Sequence, residues 1–225
     1  AYLRKNPVDK IICCGDLTGY GPNPKECIAL IKSLKNAECL MGNHDLAVIE
    51  PGTVEGFNAD ALKALEINVS MLDDNDREFI RSFKTSISEN NTLFVHGSPN
   101  DPVNEYLFLI EKYEENVQSM KENICINGHT HQPIVYEWNG KESGFYNVLR
   151  DPDIFNLEKT GKYIINAGSV GQPRDNKPAA CVVFYDSKNL TVTFKRIPYD
   201  VSKTMEKMKS LGMPEKLYSR LAIGV

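Results

Sequence analysis

Residues 124–133, ICINGHTHQP, carry two of the chain's four histidines, His129 and His131, directly after an apolar run and between Gly128 and Pro133. The other two histidines stand in the same setting. CLMGNHD (39–45) places Asn43 and His44 after an apolar run and a glycine, and TLFVHGS (92–98) places His96 likewise. KIICCGD (10–16) repeats the form with Asp16 in histidine's place. Short apolar runs bounded by turn residues read as buried strands. In open α/β sheets, ligands collect outside the carboxyl ends of the strands. One fold can therefore bring Asp16, Asn43, His44, His96, His129 and His131 together. Their neighbouring glycines let the backbone turn sharply and let bulky groups approach. Two apart in an extended segment, His129 and His131 are expected to project to the same side.

A lone histidine after a strand is ordinarily a hydrogen-bonded loop residue, and GNHD alone reads as a turn in which Asn and Asp bond locally. That explanation has to hold independently at every one of these places. All four histidines share one context, and none is left over for ordinary surface duty. A shared polar pocket explains them together.

The 225 residues suffice for one large α/β domain or two small ones, with a real core. A hydrophobic fraction of 41% and a charged fraction of 25% are those of an ordinary globular protein. Net charge is −4, and no Lys/Arg run exceeds two, so no nucleic-acid surface is expected. No apolar stretch approaches the roughly 18 residues of a membrane span, and the opening residues do not read as a signal peptide. The six cysteines form no C-x-x-C pair and lie mostly in apolar runs, as reduced thiols of a cytoplasmic protein would. Cys13 and Cys14, neighbours on a strand, should face opposite ways as two packed core thiols rather than a redox pair.

AYLRKN (1–6) reads as the last turns of a helix whose beginning is absent. VDKIICC, AECLM, NTLFVHG and ICINGH read as strands. PKECIALIKSLKN, NADALKALEINVSML (capped by Asn58), DNDREFIRSF and EKYEENVQSMKEN read as helices between them. From residue 132 the texture changes to a strand meander: QPIVYEW, GFYNVL, KYIINAG, AACVVFYD and LTVTFKRI. VSKTMEKMKSLG and PEKLYSRLAI close the chain as helices. No repeat or linker divides it, so one domain over residues 1–225 is expected, with two packed sheets and helices outside.

GD, GNHD, VHG and GHTH, in that order, resemble the motif series of the calcineurin-like metallophosphoesterase superfamily. The likeness fixes order, flanking glycines and ligand types together. NAGSVGQPRD (166–175), GDLTGYGPNP (15–24) and YDVSKTMEKMKSLGMPEKL (199–217) extend it toward a bacterial and archaeal branch described as phosphodiesterase-like or diadenosine-tetraphosphatase-like. The resemblance implies an α/β fold, a four-layer α/β/β/α sandwich of two mixed sheets with flanking helices. It also implies hydrolysis of a small-molecule phosphate ester, phosphodiester or phosphomonoester, by direct attack of a metal-activated water on phosphorus. Two divalent ions would be held, Mn²⁺ first, with Fe, Ni²⁺ or Zn²⁺ as alternatives suited to mixed N and O ligands. Carried over, Asp16 would bridge both ions. Asn43, His96 and His129 would complete one set of ligands, and His131 would bind the other ion. His44 would act near the leaving group without ligating.

Asp45 would either orient His44 or serve a helix N-terminus. Arg174, in GQPRD, would either contact a substrate phosphate or pair with Asp175. The family's first motif, Asp-x-His after the first strand, does not occur in residues 1–225; the abrupt opening places it upstream of residue 1. A different class of function, a binding scaffold on the same fold, would be expected to have lost metal-site side chains, whereas the motifs present here are intact. A single-zinc structural protein lacks suitably spaced cysteines.

Overall fold

The computed structural model describes residues 2–225. A short helix, α1 (Tyr2–Lys5), comes first, with the Tyr2 ring 6.1 Å from Phe184. Strand β1 (Ile11–Cys13) leads to helix α2 (Pro24–Lys32), whose first turn takes Pro24 where no N–H donor is needed. Strand β2 (Ala37–Cys39) then pairs parallel with β1, Cys13 opposite Cys39. Helices α3 (Asn43–Ile49), α4 (Ala59–Met71) and α5 (Asp74–Arg81) follow. Asn58 does cap α4, its Oδ1 accepting from Ala61 N at 2.9 Å. The GNHD stretch is itself the start of α3, an element its turn-like composition concealed.

Strands β3 (Ser86–Glu89) and β4 (Thr92–Val95) precede helix α6 (Ile110–Ser119) and strand β5 (Ile124–Asn127). Strands β6 (Ile134–Trp138), β7 (Ser143–Asn147), β8 (Asp153–Asn156), β9 (Lys162–Asn166), β10 (Ala180–Asp186) and β11 (Thr191–Ile197) make up most of the remainder. Helices α7 (Val201–Ser210) and α8 (Glu215–Ser219) and a 3₁₀ turn, Arg220–Ala222, end the chain.

The second half is not the simple meander that its texture suggests. One six-stranded sheet runs β3-β4-β5-β9-β6-β7, with β4, β5 and β9 parallel at its centre. Strand β8 instead joins β11 and β10 in an antiparallel three-stranded sheet. The β1–β2 pair makes a third ladder, tied to the approach of β3 by a bridge between Leu40 and Lys84. Strand periodicity sorts the side chains between layers. Ile124, Ile126 and Ile165 face a core shared with Leu40, Val192 and Phe194, whereas Cys125 and Ile164 face Val117 and Tyr113 of α6. Cys39 and Met41 pack against Ala47, Val48, Leu65 and Ile80 of α3, α4 and α5. The order is helices, strands, strands, helix: the expected four-layer α/β sandwich. Each fully buried aliphatic chain contributes roughly 1.5–3 kcal/mol, and truncating Ile165 to alanine should cost about 2–5 kcal/mol.

Cys13 packs in the helix-side core and Cys14 in the inter-sheet core, on opposite sides as expected, and burial pushes the Cys14 thiol up to about 12. All six cysteines are free. No helix among the described residues is long and apolar enough to cross a membrane.

Candidate metal centre

The carboxyl ends of β1, β2, β4 and β5 meet at one edge of the sandwich. Around His96 Nε2 lie His129 Nδ1 at 2.8 Å, Asn43 Oδ1 at 3.2 Å and Asp16 Oδ2 at 3.4 Å. Side chains from four separate strand ends thus converge on one point. Asp16 is fixed by its other oxygen, Oδ1, which accepts from His44 N in the first turn of α3 at 3.0 Å. Gly42 is obligatory there, because a Cβ on it would overlap the Asp16 carboxylate. Asp16, His129 and His131 all hold left-handed backbone, with φ of 53°, 63° and 60°. Such conformations cost free energy in non-glycine residues and persist where surroundings impose them. The GHTH segment therefore turns at each histidine and is not extended, and its two imidazoles part company.

Main-chain carbonyls set the histidine tautomers. His96 Nδ1 is 2.7 Å from the Cys14 carbonyl, and His129 Nε2 is 3.1 Å from the Asn104 carbonyl. A carbonyl only accepts, so each of these nitrogens carries the proton and the other nitrogen of each ring is bare. Burial first, and neighbouring histidine charge at His129, hold His96 down to about 4 and His129 to about 2, so neither gains a second proton near neutrality. Two bare lone pairs, an amide oxygen and a carboxylate then face one another with no hydrogen between them. Acceptors alone at such spacing repel, and a cation at the centre turns that repulsion into coordination. Carbonyl-held imidazoles are also the usual outer support of metal-ligating histidines.

His131 stands apart from this cluster, its Nδ1 2.7 Å from the Gln172 carbonyl and its ring 6.3 Å from that of Tyr20. Its Nε2 is bare by the same argument. His44 differs from the other three. Its ring packs between Tyr20 at 4.2 Å and Phe57 at 4.4 Å, and its buried Nδ1 has no partner. Asp45 does not orient it: that carboxylate accepts from Leu17 N, Thr18 N, Thr18 Oγ1 and Gly42 N, clamping the β1–α2 loop to α3. Burial, then Asp16's charge, raises Asp45 to about 6.

Arg174 does not pair with Asp175, which is taken by Arg196. Its guanidinium donates to Gln172 Oε1 at 2.7 Å and lies 5.7 Å from the Tyr20 ring, in a cleft that Asn43, His44 and His129 also line. Several contributors escaped sequence reasoning. Asn127 and Asn166, paired at the ends of β5 and β9, pin the ligand loops by donating to the Gly97 and Gly128 carbonyls. A polar amide ending each of two apolar runs, ICIN and YIIN, was the available signal. Asn68 of α4 holds Gly19 N at 3.0 Å, and Tyr106 stacks on His129 at 3.6 Å. Neither had a local sequence mark.

A two-sheet α/β sandwich with acceptor-only side chains gathered at its strand ends defines a metal-binding class of hydrolase. Residues 1–189 match the profile of the Calcineurin-like phosphoesterase superfamily domain, and the chain belongs to that superfamily. The uncharacterized protein MJ0912 of Methanocaldococcus jannaschii is 34% identical over 99% of this chain and 89% of its own. A metallophosphoesterase from Sphaerobacter thermophilus, 32% identical, superposes with a TM-score of 0.88 over 99% of this chain and 92% of that one. A hypothetical protein of Pyrococcus horikoshii, PH1004, shares the fold at 18% identity, with a TM-score of 0.80 over 100% of this chain and 89% of that one. The protein is accordingly a hydrolase of phosphoesterase type.

Proposed function

We propose that this protein is a divalent-metal-dependent phosphodiesterase or phosphatase acting on small phosphate esters. The carrying observation is the pair of facing, unprotonated imidazole nitrogens of His96 and His129 beside Asn43 Oδ1 and Asp16. These four residues would hold one ion, and Asp16 with His131 would serve a second. The nitrogen and oxygen donors suit Mn²⁺, Fe, Ni²⁺ or Zn²⁺ better than Ca²⁺. Bound, such ions lower the pKa of water toward ~7 and polarise phosphoryl oxygens.

The chain's own residues supply the rest. Arg174 offers its guanidinium to phosphoryl oxygens in a cleft it shares with Asn43 and His44. His44, held by Tyr20 and Phe57, is placed to hand a proton to the departing alkoxide. Burial, partly opposed by Asp16, lowers the His44 pKa, so the imidazole is neutral in the free protein. An anionic phosphoryl group alongside favours the charged form and brings the proton in with substrate. Tyr106, stacked on His129, keeps water from one side of the ligand cluster.

The test is turnover of bis(p-nitrophenyl) phosphate by the purified protein with Mn²⁺, Ni²⁺, Fe²⁺, Zn²⁺ or Mg²⁺. Hydrolysis that stops with EDTA is expected. Absence of turnover with every metal would overturn the reading in favour of a binding scaffold.

A further inference from the structure

Two guanidinium groups enter the cleft beside the metal cluster, and neither has a carboxylate. Arg174 is bonded to the Gln172 amide oxygen, and Arg220 Nε donates to the Val225 carbonyl. Among the described residues, neither makes an ion pair, and Glu55, the acidic residue lining the same cleft, pairs with neither. The two charges feel one another: burial first, then the Arg174 charge, lowers the Arg220 pKa, and the Tyr20 phenol senses both. Like charges in a half-enclosed cleft repel, and an anion between them removes that cost.

The position of Arg220 is built in. It opens the 3₁₀ turn after α8, where Leu217 and Leu221 are 3% exposed and pack with Ala64, Met208 and Met213. Beyond it, the Gly224 carbonyl accepts from Asn176 N at 2.8 Å, two residues past Arg174. The C-terminal turn is thereby tied to the strand-end loop that carries Arg174. The cleft holds about 180 Å³, room for several waters at ~30 Å³ each and for more than one phosphoryl group.

We infer that Arg220, with Arg174, forms a subsite for a second anionic group, so that the substrates are phosphate esters or anhydrides bearing a further phosphate beside the one attacked. This rests on the phosphoesterase reading for what happens at the metal cluster. The subsite itself depends only on the two arginines, whose forked donors suit phosphate oxygens.

Calorimetric titration of the full-length, metal-stripped protein with inorganic phosphate and with tripolyphosphate tests it without turnover. The wild type should bind tripolyphosphate about tenfold tighter than phosphate, as one charge-assisted contact allows. Arg220→Gln should close that gap, and Arg220→Lys should keep part of it. Equal affinities in the wild type, or an unchanged gap in folded Arg220→Gln, would overturn the proposal. Should Arg220→Gln fail to fold by circular dichroism, a full gap in Arg220→Lys would equally count against the arginine fork. Loss of hydrolysis with every metal, with the binding gap intact, would sink the phosphoesterase reading instead.

Discussion

His96 Nε2 and His129 Nδ1 face each other across 2.8 Å, each ring held from behind by a main-chain carbonyl. The contact has no proton to share, so the metal-free site is electrostatically unfavourable and a divalent ion should stabilise the fold. At a concentration ~100 times Kd, the gain is about 2.7 kcal/mol. Thermal unfolding should show Mn²⁺ raising Tm in the wild type, with most of that rise gone in His96→Ala and His129→Ala. An equal rise in both variants would place the ion elsewhere.

Occupancy should be unequal. Asp16, Asn43, His96 and His129 offer four donors around one point, whereas the other position has His131 and a shared Asp16 from residues 1–225. Each missing protein ligand is replaced by untethered water, so affinity falls. Metal analysis of this 225-residue chain after dialysis should find one tightly held ion at most; two retained ions per chain would contradict the assignment.

Acid should weaken the metal-free fold near pH 6. His44, His96, His129 and His131 all have pKa values lowered chiefly by burial. An unfolded histidine takes a proton near pH 6.5, while the folded His96 waits until about 4. Between those values the unfolded state binds more protons, so stability falls as pH drops from 6.5 toward 4. Asp45, raised to about 6, acts oppositely: its contribution is present below 3.8 and lost as pH rises through 6. Four histidines outnumber it, and a net loss of a few kcal/mol is expected in urea titrations at pH 7 and pH 5. Equal midpoints at the two pH values would show that the histidines are not buried neutral.

Gly19 has φ +117°, and a Cβ on it would come within 2.5 Å of His44 Nδ1. Gly19→Ala should therefore dislodge the His44 ring while sparing the ligand cluster, besides costing on the order of 1 kcal/mol in stability. His44→Ala should behave similarly, retaining bound metal and losing rate. In both variants kcat should fall on the order of 10²-fold for poor leaving groups and less for p-nitrophenolate, which needs little protonation. Metal loss in His44→Ala comparable to that in His96→Ala would make His44 a ligand and refute its separate role.

Much of the frame is legible locally. Apolar runs such as ICIN and TLFV mark strands because burial on both faces leaves no alternation, and Asn58 marks a helix start because its side chain supplies a missing acceptor. Strand β8 and helix α3 were not legible. DIFN is short and half exposed, and GNHD has the composition of a turn; each is held in place by distant partners, Thr191–Phe194 for the strand and the Asp16 carboxylate for the helix's first turn.

What the sequence by itself determined is the set of donors: Asp16, Asn43 and the histidines each follow a strand, and a strand end in an α/β sheet is where ligands gather. Tertiary structure alone decided which donors share a point and in what protonation state. The carbonyls of Cys14, Asn104 and Gln172 choose the tautomers of His96, His129 and His131, and a main-chain carbonyl has no residue-specific signature. Left-handed backbone at His129 and His131 turns apart two imidazoles that an extended chain would have aligned. Packing of α8 against α4 carries Arg220 into a cleft with Arg174. Hydrophobic periodicity reports only which face of an element is buried; the element that buries it, and the polar atoms this brings along, are fixed by long-range packing.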